Sequence, residues 1–251
     1  MDLSRFAMEY EKLLKSLVGT PFFGNTAITH YLSIPRLKDT GIRDFYTKNG
    51  LVYARKFDVG EYIEVFKEEH PSICGGVTEY LTKIKLARQL GKNLNDLSFF
   101  DDVNKEKYSK LDDEELAFAM YEPDIIYRSG YSYTGEIFEH KRNIIKKAKY
   151  LAKIALELIN EVFPVINDID FHPEGHVMYN GELAIKGDSD LLINNCLIDF
   201  KTKKDYKLNT KDKAQLFAYA LHKYMRDGIN YDKVFLLNPR FRILEELVLK
   251  S

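Results

Sequence analysis

Two carboxylates and one ammonium lie close together in the stretch 187–202. This stretch predicts two short strands joined by Asn194-Asn195, because asparagine tolerates the positive φ of tight hairpin turns. Asp199 and Lys201 are two residues apart on the second strand, so they share one face. Antiparallel pairing about the turn brings Asp190 opposite Asp199. Such a concentration of charge on a half-buried sheet is costly unless a cation lies between the carboxylates, so the pattern predicts a metal site.

A helix that follows the hairpin completes a wider pattern. It consists of Asp190, then Asp199-Phe200-Lys201, then Gln215-Leu216-Phe217-Ala218-Tyr219. This pattern resembles the PD-(D/E)XK nuclease superfamily, and within it the RecB-like exonucleases, over residues 136–240. The resemblance implies an α/β fold of the restriction-endonuclease-like kind, with a mixed sheet flanked by helices. It also implies a nuclease that hydrolyses DNA phosphodiester bonds with Mg²⁺ or Mn²⁺, acting in recombination, repair, replication or defence.

The resemblance implies a role for each residue at the centre of the pattern. Asp190, Asp199 and the backbone carbonyl of Phe200 would hold the cation, since Mg²⁺ prefers one or two carboxylates and keeps several waters. Lys201 would position or polarise the attacking water and offset the charge of the phosphate. Asp188 lies on the same strand face as Asp190 and is the alternative carboxylate.

Four further residues are expected around this centre. Gln215 and Tyr219 are spaced i, i+4 on one helix face, so they can act together. By resemblance Gln215 would face the active site, and Tyr219 would stack on or hydrogen-bond to the nucleic acid. Lys203 and Lys204 directly follow the second strand and are expected to bind phosphates without reading sequence.

The superfamily often adds an acid from a helix upstream of the hairpin. Glu157 and Glu161 are the candidates, and Glu161 is preferred because it lies nearer the end of its helix. His140 is the upstream histidine, but the motif that normally surrounds such a ligand is not matched here. The residues 172–176 contain two histidines and one glutamate in a loop with Pro and Gly, and they lack the cysteines typical of structural zinc.

The order of predicted elements agrees with a mixed sheet. A helix over 136–163 precedes strands over 177–179, 183–193 and 196–202, and a helix over 210–226 then leads to a strand over 233–237. A helix between the last two strands suits a parallel crossover.

The residues before this core are expected to be mainly helical. The predicted helices cover 2–18, 25–33, 58–69, 77–90 and 112–121, and 41–53 is expected to be loop. A boundary within 121–133 divides the chain into a helical region, 1–134, and a nuclease core, 135–251. The same boundary region is compatible with a loop inside one domain.

Composition limits the class of protein. The chain has 251 residues and a formal net charge of −1, and its two cysteines form no disulfide framework. No apolar run reaches the length of a membrane span, so a cytoplasmic protein is expected. Bases exceed acids by nine to four over 200–233, so the basic excess flanks the hairpin, and DNA as the partner is what the resemblance implies. Protein partners or a homo-oligomer are compatible with the sequence, and so is a non-catalytic nucleic-acid-binding or scaffold module that keeps the fold.

Overall fold

The computed structural model describes residues 3–49, 52–54, 60–94, 108–129, 135–205 and 208–249. Within these ranges the α-helices are α1 (Ser4–Leu17), α2 (Ile28–Tyr31), α3 (Ile42–Asn49), α4 (Pro71–Gln89), α5 (Asp113–Ser129), α6 (Gly135–Val162) and α7 (Thr210–Asp227). The strands are β1 (Val52–Ala54), β2 (Ile169–Asp170), β3 (Val177–Tyr179), β4 (Glu182–Ile185), β5 (Leu191–Ile193), β6 (Cys196–Phe200), β7 (Lys233–Asn238) and β8 (Ile243–Leu249). Short 3₁₀ turns cover Pro35–Thr40, Lys67–Glu69 and Pro239–Phe241.

The predicted hairpin is present. β5 and β6 pair antiparallel, with Leu191 opposite Ile198 and Ile193 opposite Cys196. The turn residues Asn194 and Asn195 have φ values of 48° and 60°, the left-handed conformation that asparagine tolerates. The local turn chemistry therefore sets the register, and the register sets which side chains face each other.

The main sheet is mixed, as predicted. Its strand order in the described residues is β1-β8-β7-β6-β5-β2, and β3 and β4 form a separate two-stranded hairpin. β6 and β7 run parallel, with α7 between them in the chain, while the other pairs are antiparallel. The α/β class is thus confirmed, together with helices over much of the chain before the sheet.

Helices cover both faces of this sheet. One hydrophobic cluster contains Ile198 and Phe200 of β6 and packs against α4, α5 and α6. The other contains Leu197 and packs against α1, α3 and α7. By strand alternation Asp199 and Lys201 project on the α7 side. Each cluster takes residues from before and after the predicted boundary near residue 134, and the division into two domains stays a prediction.

Three predictions of elements were wrong. The predicted strand 183–193 is two strands, β4 and β5, which belong to different sheets. The residues 60–66 of the predicted helix 58–69 are not helical, since the backbone amide of Ile63 donates to the carbonyl of Arg240 instead. The predicted loop 41–53 contains α3, whose buried residues Ile42, Phe45 and Tyr46 have helical spacing.

One strand of the sheet was missed, and one expected helix lies partly outside the described residues. β8 was not predicted at all. Residues 58–59 of the expected helix 58–69 lie outside the described residues. In the described part of the chain, no helix combines the length and the apolar character needed to cross a bilayer.

The break between β4 and β5 is held by a close contact of two glycines. The amide of Gly175 donates to the carbonyl of Gly187 at 2.8 Å, and a Cβ on Gly187 would clash with the Gly175 carbonyl oxygen. Because that oxygen belongs to the backbone, the clash cannot be relieved by a side-chain rotation.

We expect Gly187→Ala to lower the free energy of unfolding by about 1–3 kcal/mol, the usual cost of overpacking. Urea unfolding followed by circular dichroism measures it. The neighbouring exposed side chain offers a control, since Asp188→Ala adds no atom to the contact and should change stability by less than about 0.5 kcal/mol. Equal stability of the two variants would show that the glycine contact is not tight in solution.

Candidate active site

The β5–β6 hairpin brings two of the expected carboxylates to one end of the sheet. Asp190 directly precedes β5, and its Oδ2 accepts a hydrogen bond of 2.7 Å from the backbone amide of Phe200. Asp199 lies on β6 and is only 1% exposed. The antiparallel register continues from Leu191 opposite Ile198 to Asp190 opposite Asp199. Both carboxylates therefore lie at the carboxyl end of β6, on the side of α7.

Lys201 forms an ion pair with Asp199. Its Nζ lies 2.6 Å from Asp199 Oδ2, and no second hydrogen-bond donor of the described residues reaches the Asp199 carboxylate. Burial raises the pKa of Asp199, Lys201 lowers it and Asp190 raises it again, so that it moves from 3.8 to about 7. Burial alone would lower the pKa of Lys201, but Asp199 and Asp190 outweigh it and raise this pKa. The ammonium therefore stays charged.

The helix α7 places Gln215 and Tyr219 beside this centre. The Gln215 side-chain amide donates to the Tyr219 hydroxyl at 2.7 Å. The pKa of Tyr219 is raised by burial first, and then by the charges of Asp190 and Asp199. The phenol therefore lies near both carboxylates and remains neutral. Because its ring is buried in a hydrophobic cluster, Tyr219 can offer a hydrogen bond but no free face for stacking on a base.

Lys203 and Lys204 have different surroundings. The Lys203 ammonium is bonded to Asp212, a buried residue in the first turn of α7. Asp212 also accepts a hydrogen bond from the amide of Asn209, which caps the helix in return. Lys204 is exposed. Sequence analysis missed Asp212, although an Asn followed three residues later by an acid is a capping-box signal.

The structure does not bring Glu161 to this centre. The helix α6 ends near the hairpin turn, where Phe163 packs on Phe235 and the Asn194 side chain accepts from the backbone amide of Asn167 at 2.9 Å. That turn is the opposite end of the hairpin from Asp199. Glu161 is exposed, and Glu157 is an exposed partner of Lys153.

The remaining candidate residues, Asp188, His172 and His140, have other surroundings. Asp188 is exposed, and its Oδ1 lies 4.0 Å from Nδ1 of His176, which accepts a hydrogen bond from the Gly187 amide. Burial lowers the pKa of His172, and the nearby Lys83 lowers it further. The ring of His140 packs against that of His70 with centroids 5.4 Å apart.

The loop that contains Gly175 is linked by hydrogen bonds to the first helices of the chain. The buried His222 of α7 donates from Nδ1 to the carbonyl of Gly175 at 2.6 Å, and its Nε2 lies 2.5 Å from the Tyr46 hydroxyl. Tyr46 of α3 is bonded in turn to Tyr10 of α1. Burial lowers the pKa of His222 to about 4, so the imidazole is neutral at pH 7. A hydrogen-bond chain thus links α1 and α3 to the Gly175–Gly187 contact.

The carboxylate oxygens of Asp190 and Asp199 are ligands of the type that a divalent cation prefers. Among the described residues no three His, Cys, Asp or Glu side chains form a group that could hold an ion. Two carboxylates are nevertheless enough for Mg²⁺, which retains waters. The observation that favours a cation is the buried carboxylate of Asp199, which lies next to Asp190 and has the Lys201 ammonium as its partner within the described chain. Because two neighbouring carboxylates share this one positive charge, a further cation would stabilise them.

The raised pKa of Asp199 has a consequence for stability. The folded protein holds this proton more tightly than the unfolded chain does, so the free energy of unfolding falls as pH rises through the window from about 4 to about 7. The fall from one group is at most about 1.4 kcal/mol per pH unit. In the absence of divalent cations we expect the stability of Asp199→Asn relative to wild type to increase from pH 5 to pH 8, because the variant has no proton to lose in this window. The loss of the partner of Lys201 lowers the stability of the variant at both pH values.

Urea unfolding at the two pH values measures this difference. Asp188→Asn removes an exposed carboxylate two residues from Asp190 and should show no such change with pH. A stability difference between Asp199→Asn and wild type that is the same at pH 5 and pH 8 would contradict the burial of a charged Asp199.

The chain was compared with models of protein families, with curated proteins and with solved structures, and none of the three comparisons finds a match.

Proposed function

We propose that this protein is a divalent-metal-dependent nuclease that hydrolyses DNA phosphodiester bonds, with a restriction-endonuclease-like core. The observation that carries the proposal is the buried Asp199 next to Asp190 and Lys201, at the end of a mixed sheet. Gln215 and Tyr219 line the same side of that sheet, in agreement with the resemblance to RecB-like PD-(D/E)XK exonucleases.

Asp190, Asp199 and the carbonyl of Phe200 would hold Mg²⁺ or Mn²⁺ in this proposal. When bound, the ion would lower the pKa of a water and stabilise negative charge on the phosphate. The hydrogen bond from the Phe200 amide already fixes Asp190 Oδ2, so its other oxygen would be the ligand. The Phe200 carbonyl follows Asp199 directly in the chain, at the same strand end.

Lys201 would act on the water and the phosphate. Its pKa is raised by the two aspartates, so it is a permanent cation and not a general base. As a cation it can orient a water through a donated hydrogen bond and stabilise charge that develops on the phosphate. Gln215, which is half-buried on α7, would hold Tyr219 and face the same space.

The upstream acid would be Glu79 of α4, which sequence analysis did not consider, and not Glu161. A Cβ on Gly75 would lie 3.1 Å from Cβ of Thr202, so α4 passes the residue that follows Lys201. Glu79 lies one helical turn beyond Gly75 on the same face. It is partly buried and forms an ion pair of 2.6 Å with Lys83.

The central test is a cleavage assay on linear, circular and single-stranded DNA with Mg²⁺ or Mn²⁺. Asp199→Asn keeps the size of the side chain and removes the charge that metal binding needs, so we expect it to abolish cleavage and Mn²⁺ binding. Lys201→Ala should retain Mn²⁺ binding and lose turnover by about a hundredfold or more. Calorimetry with Mn²⁺ separates the two roles.

Matched controls come from exposed residues. Glu11→Gln and Lys12→Ala on α1 each remove one exposed charge, of the same sign as the charge removed by Asp199→Asn and by Lys201→Ala, and should cleave like wild type. Cleavage by Asp199→Asn at the wild-type rate would refute the site. A wild-type protein that binds DNA but cleaves none of the three substrates would favour the alternative, a nucleic-acid-binding or scaffold module with this fold.

The upstream acid has its own test. We expect Glu79→Gln to weaken Mn²⁺ binding at least about tenfold, because in this proposal the Glu79 carboxylate contributes charge to the metal site. Glu161→Gln should leave the affinity unchanged. Since Glu79 neutralises the buried Lys83, unfolding in urea must show that the variant is folded at the assay temperature. Glu79→Asp keeps the charge and provides a second variant. If Glu161→Gln alone weakened binding, the assignment of Glu79 would be wrong.

A further inference from the structure

A groove of about 430 Å³ lies between α4 and α6, away from the candidate active site. It is lined mostly by lysine side chains, together with one tyrosine and one leucine: Lys85, Lys146, Lys149, Tyr150, Lys153 and Leu156. The two helices belong to the layer on the face of the sheet opposite α7. None of these residues has a part in the site formed by Asp190 and Asp199.

The lysines of the groove follow a helical face. The stretch 140–153 of α6 contains six Lys and Arg residues and no acid. Lys146, Lys149 and Lys153 are spaced i, i+3 and i+7, so they lie along one side of the helix over about 10 Å. Lys85 faces them from α4. A row of cations about 10 Å long is long enough to contact more than one phosphate of a nucleic-acid strand.

The acids nearby do not neutralise this row. Glu114 is shared between Lys149 at 3.0 Å and Lys85 at 3.4 Å. Burial works against its charge, but the hydrogen bond from Lys149 and the charge of Lys85 outweigh burial and lower the pKa of Glu114. Lys153 lies 3.9 Å from the exposed Glu157. Two acids against four lysines leave a positive groove.

Tyr150 adds an aromatic face to the same groove. Its side chain is exposed to 46%, a high value for a large aromatic residue. The hydroxyl accepts a hydrogen bond of 3.3 Å from Nη2 of Arg242, which holds the ring in place at the edge of the lysine row. An exposed aromatic ring among lysines is the arrangement by which proteins bind single-stranded nucleic acid, with bases stacked on the ring and phosphates on the cations.

Arg242 connects the groove to the end of the sheet that carries Lys201. It follows the turn Pro239–Phe241, which begins where β7 ends. Near that end the Leu237 carbonyl accepts from the backbone amide of Lys201 at 2.9 Å. Arg242 thus lies in the chain just after the end of β7 that neighbours Lys201, and its side chain contacts Tyr150 at the edge of the groove.

We propose that the groove between α4 and α6 binds one strand of a single-stranded nucleic acid, with its phosphates on Lys146, Lys149 and Lys153 and a base stacked on Tyr150. This inference deepens the proposed nuclease function and rests on it for the assignment of the bound strand to the substrate. The binding itself requires no catalysis.

The test measures the affinity of the full chain for a fluorescent single-stranded oligonucleotide in EDTA, so that no cleavage occurs. We expect Lys146→Gln with Lys153→Gln to weaken binding and to reduce the slope of log affinity against log salt by about 1.4, since each phosphate contact of a single strand contributes about 0.7. Lys12→Gln with Lys15→Gln, two exposed lysines of α1, is the matched control and should leave the slope unchanged.

Tyr150 is tested by two variants. We expect Tyr150→Ala to weaken single-strand binding by about tenfold, within the range measured for loss of one stacked base. Tyr150→Phe keeps the ring and loses the hydrogen bond to Arg242, so it should bind nearly as well as wild type. Equal losses for both variants would assign the effect to the Arg242 contact and overturn stacking.

The remaining outcomes separate this inference from the nuclease proposal. If the α6 and α1 double variants have the same slope of log affinity against log salt, the proposal that the groove binds nucleic acid is wrong, whatever the cleavage assay shows. If a duplex binds more tightly than the single strand, and Tyr150→Ala does not change the affinity for the duplex, the single-strand assignment is wrong. Cleavage by Asp199→Asn at the wild-type rate would refute the active site while leaving the binding result intact.

Discussion

The burial of the Asp199 carboxylate is the constraint on which the site depends. A charge removed from water needs a nearby charge of opposite sign, and Lys201 supplies it at 2.6 Å. The attraction is partly cancelled by Asp190, which the hairpin register holds across from Asp199. The result is a carboxylate that is raised in pKa yet close to a permanent cation. A further positive charge close to these two carboxylates would therefore be stabilised.

The surrounding elements keep that state in place. The hairpin turn at Asn194-Asn195 fixes the register, and the Phe200 amide fixes Asp190. On the other side, the first turn of α7 holds Asp212 within its own capping box, and the helix carries Gln215 and Tyr219. Each support is a backbone or buried contact, so the carboxylates have little freedom to move apart.

Much of this could be predicted from sequence because the signals are local. The Asn194-Asn195 turn, the alternation of β6 and the caps of α7 each depend on a few neighbouring residues. The parts that were missed depend on distant partners. Nothing near Gly75 in the sequence shows that α4 passes Thr202, and the course of 60–66 depends on backbone contacts with Arg240. Glu161 was favoured by its place in the chain, but the helix that carries it ends at the far side of the hairpin.

The pairing of β1 with β8 has a consequence for how the chain acquires its structure. Val52 lies opposite Leu249, so one edge of the sheet joins residues that are almost the whole chain apart. The helices α1 and α3 likewise pack against α7, far downstream. During synthesis α1, α3 and β1 therefore leave the ribosome well before the elements that they pack against or pair with. Folding dominated by such long-range contacts is slow, and the apolar faces of α1 and α3 remain open to chaperones until α7 has been synthesised.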